Sequence, residues 1–248
     1  MAQAIAILGS DAPIATRLKS RQATTLFLAA GALAPLLFMP MVLIAGRVTP
    51  EYGHISSTFS DAASQGSPRP EFVTTGLMIV ASCLFLAAFG LARTLPSRRS
   101  LVRICLCASA MGILGTALFR DYNRSPGVPR NQEGQLHNSF AILTILAIEL
   151  TILLIWFVTR NQQGWRHLAT PAMISFLVVA VAGMGFNFGP DSHDGLAERI
   201  LAGTAFLFLS SLCLTALTVG RGEPFRWPRA TSASAPAQPF TATVVLDE

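Results

Sequence analysis

The strongest constraint on this sequence is a set of six long apolar runs separated by polar segments. They cover residues 23–46, 72–92, 101–119, 136–158, 168–187 and 198–218. Each run is close to the roughly 20 residues that an α-helix needs to cross the hydrocarbon core of a bilayer. Only 12% of the residues are charged, whereas a soluble domain has about a quarter. The sequence therefore predicts an all-α integral membrane bundle of six transmembrane helices.

The polar segments divide the chain into a tail (1–22), a transmembrane domain (23–218) and a second tail (219–248). The second tail is rich in Pro, Ala, Ser and Thr, a composition typical of disordered segments. Twelve of the 18 Lys and Arg residues lie on the side of the two tails. Because cytoplasmic loops are enriched in these residues, we expect both termini in the cytoplasm and the protein in the cytoplasmic membrane of a prokaryote. The basic residues form no patch, which argues against nucleic acid as a partner.

Polar residues gather on the opposite side of the predicted membrane. Three of the four histidines (His54, His137 and His193) occur there, in three separate segments. The same side carries six further charged residues, namely Asp61, Asp121, Asp191, Asp194, Glu198 and Arg199. The outward face of the bundle is therefore where chemistry is expected.

The first outward segment, PEYGHISSTFSDAASQGSPRPEF, suggests a short helical turn capped by Ser60 or Asp61. His54 and Asp61 are seven residues apart, so they would share a face if the segment were helical. One interpretation is a metal site or an acid–base pair. The other is a polar loop that supplies its own caps.

Two arginines lie at the outer boundary of the predicted membrane. Arg120 and Asp121 follow the third run, where the pair would bind a lipid head group or serve as an interface anchor. Arg199 begins the sixth run, where a guanidinium can bind a phosphate. The alternative for the last segment is a solvated turn that caps a helix.

The fourth run carries a polar stripe. His137 and Asn138 lie near its outer end, and Asn138 and Glu149 are 11 residues apart, about three helical turns. An acid inside a membrane is costly and indicates a functional position. Glu149 is therefore a proton site, a coupling site, a buried partner of an arginine, or a protonated acid bonded to a neighbouring helix.

Small residues at helical spacing predict close packing between spans. They are the pairs Gly112 and Thr116, Gly183 and Asn187, and Gly203 and Ser210.

The preferred functional hypothesis is a polar pocket at the outer leaflet that binds a lipid head group or a small polar ligand. The expected lining residues are His54, Asp61, Arg120, Asp121, His137, Asn138, Glu149 and Arg199. One alternative is a metal- or histidine-assisted hydrolase of membrane lipids, with His54, Asp61 and His137 as metal ligands. Another is a proton-coupled transporter that uses Glu149, and a purely structural subunit also remains open. No HExxH, HxxxH or CxxC spacing is present, so a divalent metal is possible but no cofactor is required.

Four outward motifs carry a family resemblance: ISSTFSD, FRDY, LHN and AER. Together they resemble the prokaryotic "domain of unknown function 998" family over residues 24–217. The resemblance implies a six-helix integral membrane protein and no established activity. The stretch ISSTFSDAASQGSPRPEF also resembles the first loop of the Frag1 and damage-regulated autophagy modulator group, which would favour a lipid-linked or regulatory role. Ceramidase-like hydrolases share a Ser, Asp and His theme, but the paired histidines of their late span are missing here.

Overall fold

The computed structural model of the protein describes residues 14–65, 67–121 and 131–219. Within these residues the chain forms seven α-helices: α1 (Ile14–Val48), α2 (Phe59–Ala62), α3 (Pro70–Thr94), α4 (Arg99–Leu118), α5 (Gln132–Thr159), α6 (Ala169–Phe188) and α7 (Asp194–Val219). Short 3-10 turns, Arg166–Leu168 and Asp191–His193, precede α6 and α7. The predicted disorder of the second tail falls on residues outside this description.

The six predicted spans are confirmed as helices that are long and apolar enough to cross a membrane. The helices extend beyond the apolar runs at both ends of the bundle. α1 begins at Ile14, ahead of the predicted start at residue 23. α5 begins at Gln132 because the Asn131 side chain accepts a hydrogen bond from the Gly134 amide. Polar caps therefore set boundaries that hydrophobicity alone does not show.

The six long helices form a closed ring. Each packs against the next one in the chain, and α7 returns to pack against α1. Leucines such as Leu84, Leu106 and Leu212 fill the interior. The outside is also apolar, since Leu26 and Leu207 are 68% and 66% exposed. An exterior of this kind is suited to lipid rather than water.

Glycine allows a close helix contact between α4 and α5. A Cβ added at Gly112 would lie 2.9 Å from the Phe140 carbonyl oxygen and would overlap the Thr144 side chain. The prediction that Gly112 permits close packing is therefore confirmed. The prediction for Gly203 is wrong, because a Cβ there would meet nothing within 4 Å. Ser210 does connect helices, since its hydroxyl donates to the Ala32 carbonyl oxygen on α1 at 2.8 Å.

The two ends of the bundle differ in character. We call the end with the α1–α3, α4–α5 and α6–α7 connections the polar end. The opposite end, where α1 starts and α7 finishes, is the basic end. The segment of residues 49–65, which includes α2, folds over the polar end and is called the cap segment. It brings side chains from all three polar connections together.

Candidate functional site

The cap segment has its own local order. Thr58 is the N-cap of α2, and its hydroxyl accepts from the Asp61 amide at 3.1 Å. The Asp61 carboxylate accepts from the Thr58 amide at 2.6 Å in return, so the pair forms a capping box. The predicted helical turn is confirmed, but its cap is Thr58 rather than Ser60 or Asp61. His54 lies outside this single turn, so His54 and Asp61 do not share a helical face.

Arg199 on α7 fastens the first half of the cap segment. Its guanidinium donates to the Ser57 carbonyl oxygen at 2.9 Å and to the Tyr52 hydroxyl at 2.5 Å. It also donates to the Gly195 carbonyl oxygen at 2.6 Å and contacts His54 Nδ1 at 3.3 Å. Both terminal nitrogens therefore have partners within the protein. The expectation that Arg199 binds a phosphate is not supported by this arrangement.

Backbone hydrogen bonds also join the start of α7 to the cap segment. The Leu196 amide donates to the Ile55 carbonyl oxygen at 2.8 Å. Gly195 lies directly under Ser57, and a Cβ there would overlap its carbonyl oxygen. Glu198, one turn further along α7, accepts from the Phe59 amide at 2.5 Å. The start of α7 therefore serves as a platform for the cap segment.

Tyr52 is the polar residue most altered by this docking. Its hydroxyl accepts from Arg199 and donates to the Thr58 carbonyl oxygen at 3.1 Å. Burial raises the pKa of Tyr52 from 10.0 to about 12, although the Arg199 charge acts in the opposite direction. The hydroxyl can donate only while it is protonated, so ionisation would remove one of these bonds.

We expect an alkaline titration to detect this environment. The chain has two tyrosines, so in a Tyr122→Phe variant the phenolate absorbance reports Tyr52 alone. Its midpoint should lie near pH 12 in the folded protein and near 10 after denaturation. Because the folded-state pKa is the higher one, stability is full below pH 10 and falls as the pH rises towards 12. A folded-state midpoint near 10 would show that Tyr52 is solvated.

Gln65 fastens the second half of the cap segment to the α4–α5 connection. Its amide nitrogen Nε2 donates to the Glu133 carboxylate at 3.0 Å, and its Oε1 accepts from the Asn131 side chain at 2.8 Å. Its backbone N–H donates to the Asp121 carbonyl oxygen at 3.0 Å. Glu133 also accepts from the Arg120 amide at 2.9 Å. The three outward segments therefore converge.

His137 on α5 lies beneath this junction and is 2% exposed. Its Nδ1 is 2.8 Å from the Phe119 carbonyl oxygen and 3.1 Å from that of Thr116. Backbone carbonyls only accept hydrogen bonds, so Nδ1 carries the proton. In a neutral imidazole Nε2 is then an acceptor. Nε2 lies 2.9 Å from the Ser60 hydroxyl, which must be the donor.

Ser60 and His137 open onto a cavity of about 140 Å³ in the centre of the ring. Its polar end also carries Asp121, Asn138 and Glu198, and Asp121 is 1% exposed. Its remaining walls are mainly apolar and include Phe38, Leu77, Leu84, Ile113, Ile148 and Phe206. The ring of Phe59 closes it from above, in edge contact with Phe38 at 5.0 Å between centroids.

Comparison with known families gives one match, to a family described as "Protein of unknown function (DUF998)", over residues 32–215. This range covers most of the chain and runs from within α1 to within α7. The chain belongs to the DUF998 family. No curated protein and no solved structure matches it. The family resemblance in the outward motifs is confirmed, while the likeness to the Frag1 group stays an expectation.

In this DUF998 chain the expected site residues fall into separate places. Asp121, His137 and Asn138 line the cavity. His54 and Arg199 belong to the fastening of the cap segment, and Asp61 to its capping box. Arg120 is exposed on the surface. One pocket lined by all of these residues is therefore not what the structure shows.

Glu149 lies apart from the cavity, between α5 and α6. Its carboxylate oxygen is 3.7 Å from where a Cβ of Gly183 would be. The cavity wall on α5 instead uses the neighbouring positions Ile145 and Ile148. The predicted stripe from Asn138 to Glu149 therefore does not face a single space.

The described part of the DUF998 chain contains no group of three His, Cys, Asp or Glu side chains placed to hold a metal ion. The expected ligands His54, Asp61 and His137 are not brought together. His54 contacts Arg199, Asp61 bonds Thr58, and His137 bonds Ser60.

Several residues in this arrangement were not among the expected site residues, and Ser60, Tyr52 and Glu198 are examples. For Ser60, the sequence contains a recognisable signal. Thr58 and Asp61 have the spacing of a capping box, which places Ser60 within the first turn of a helix. Tyr52 and Glu198 act through contacts across more than 130 residues of chain, for which the sequence holds no local signal.

Proposed function

We propose that this protein binds an amphiphilic small molecule or single-chain lipid in its central cavity, with the polar group of the ligand beneath the cap segment. The observation that carries the proposal is the division of the cavity into a polar end and apolar walls. Ligand sites are typically apolar with a few polar groups that fix orientation. The proposed setting is the cytoplasmic membrane, with the basic end towards the cytoplasm as the distribution of Lys and Arg favours.

The charges at the polar end restrict the ligand. Asp121 and Glu198 line the cavity, and none of its described lining residues is Lys or Arg. Arg199 already has partners for both terminal nitrogens. Because two acids and no lysine or arginine are among the described lining residues, a neutral or cationic polar group is favoured over an anionic one.

The shape of the cavity indicates how the ligand lies. Its lining positions on α5 run from His137 to Ile148, about 16 Å along the helix axis. The free volume of about 140 Å³ is similar to that of cavities that admit a benzene-sized group. A space of this volume holds the polar group of the ligand and a short apolar segment next to it, directed along α5 into the bundle.

The proposal is tested by photo-crosslinking in membranes with a monoacylglycerol that carries a diazirine in its acyl chain. We expect crosslinked peptides from the cavity walls, on α4, α5 and α7. Ala202→Phe fills the cavity and should lower this crosslinking about tenfold, the effect of roughly 1.4 kcal/mol in affinity. Leu207→Phe is the matched control, because position 207 lies on the exposed face of the same helix.

Crosslinks confined to lipid-facing positions, or equal cavity crosslinking in wild type and Ala202→Phe, would overturn the proposal. Glu149→Gln serves as a second control. Because Glu149 lies outside the cavity lining, this variant should retain wild-type crosslinking. Thermal midpoints of all variants, measured in the same detergent, check that the bundle remains folded.

A further inference from the structure

We propose that Ser60 and His137 form a nucleophile–base pair that cleaves a carboxylic ester held in the central cavity. The inference rests on the proposed function, because it needs an amphiphile whose ester group lies at the polar end. The carrying observation is the 2.9 Å contact between Ser60 Oγ and His137 Nε2, with both residues on the cavity wall. A serine activated in this way acts in nucleophilic catalysis on many unrelated folds.

The hydrogen bonds assign the direction of proton transfer. The carbonyl oxygens of Thr116 and Phe119 both face Nδ1 of His137, so this nitrogen keeps its proton. Nε2 then has a free electron pair directed at Ser60 Oγ. A base oriented by a third group is the arrangement that nucleophilic catalysis requires. Here two backbone carbonyls at the end of α4 supply the orientation.

The same cavity supplies groups for the charges that form during the reaction. The Asn138 side chain lines the polar end and makes no hydrogen bond to the described residues, so its amide can donate to a developing oxyanion. Asp121 and Glu198 line the same polar end, where an acidic side chain can stabilise positive charge that develops during the reaction. The surrounding walls are mainly apolar, and electrostatic interactions are stronger in surroundings of low polarity than in water.

The reaction balances with water as the co-reactant. Ser60 Oγ bonds to the acyl carbon of the ester, and its proton passes to His137 Nε2. The bond between the acyl carbon and the alcohol oxygen then breaks, and that oxygen takes the proton from Nε2. Water attacks the resulting acyl-serine and gives a proton to Nε2, which returns it to Ser60 Oγ. The products are a carboxylic acid and an alcohol, and no oxidant or metal is consumed.

The test is covalent labelling with an alkyl fluorophosphonate, in which Ser60 Oγ displaces fluoride from phosphorus. We expect wild-type protein in membranes to gain one alkylphosphonyl group, located at Ser60 by peptide mass spectrometry. Ser60→Ala should lose the label, and His137→Gln should slow labelling at least 100-fold, the usual contribution of a general base. Ser64→Ala is the matched control, because Ser64 lies in the same segment and its hydroxyl bonds the Asp61 carbonyl oxygen.

Wild-type protein that stays unlabelled at Ser60, or labelling that is equal in wild type and folded His137→Gln, would overturn the inference. The wild-type result needs no variant to fold. Crosslinking by the diazirine lipid separates this failure from failure of the binding proposal. Cavity crosslinks without label at Ser60 would leave a binding protein with a structural Ser60–His137 contact. Absence of both signals would remove both proposals.

Discussion

Replacing Arg199 with glutamine is expected to release the cap segment and destabilise it by at least about 2 kcal/mol, since hydrogen bonds that involve a charged group contribute about 1.5–3 kcal/mol each. The change removes the bonds to Ser57 and Tyr52 and the ring contacts at 5.1 and 5.6 Å to Phe59 and Tyr52. Hydrogen–deuterium exchange of residues 51–65 should become about 30-fold faster. The six long helices should keep their protection, because the contacts of Arg199 with described residues are to its own helix and to the cap segment.

Arg47→Gln is the control for this prediction. Arg47 is exposed at the same end of the bundle, and its side chain makes no hydrogen bond to another residue in the described ranges. The two variants lose the same charge, so a difference between them reports the contacts of Arg199. If both variants exchange at the same rate as wild type, the cap segment is held by its backbone contacts and by Gln65 instead.

Replacing Gly112 with alanine is expected to lower the thermal midpoint by about 3–10 °C, from overpacking that costs about 1–3 kcal/mol. The new methyl group would lie 2.9 Å from the Phe140 carbonyl oxygen and the Thr144 amide nitrogen. Both are backbone atoms of α5, so the helices must separate, because a rotation of the overlapping Thr144 side chain would leave these two contacts in place. The separation should also reach the cavity, since α4 and α5 both line it.

Gly203→Ala is the matched control, because it makes the same substitution at a position without a neighbouring helix in contact. Alanine has the better helix propensity, by about 1 kcal/mol, and a Cβ at Gly203 meets nothing within 4 Å. We expect this variant to match or exceed the wild-type midpoint in detergent. Equal losses for the two variants would mean that glycine at these positions matters for backbone flexibility and not for packing.

The membrane architecture of this protein follows from its sequence because six apolar runs of sufficient length leave few alternatives. The sequence also predicts that His137 and Asn138 line a polar site, since both lie at the outer end of a span. The sequence alone does not tell which of Gly112 and Gly203 faces a neighbouring helix. Both are small residues on a helix, yet one contacts a neighbouring helix and the other faces open space. Helix rotation decides between them, and it depends on the packing of the whole ring.

The direction in which each polar side chain points was equally difficult to predict from the sequence. Arg199 was expected to face lipid head groups, but the cap segment covers it. Glu149 is on the correct helix but is turned towards α6. The Ser60–His137 contact joins positions 77 residues apart, which no local pattern encodes. The sequence predicts which polar residues lie at the outer end of the bundle. The direction of their side chains and their hydrogen-bond partners are seen only in the structure.

The return of α7 to α1 has a consequence for how the chain can be built. Ser20, in the second turn of α1, and Val219, the last residue of α7, border one cleft at the basic end. Because every helix in the ring packs against two neighbours, the packing does not depend on which of the connecting loops is open. A circular permutant that joins these two points and opens the chain between α3 and α4 would keep every helix beside its present neighbours.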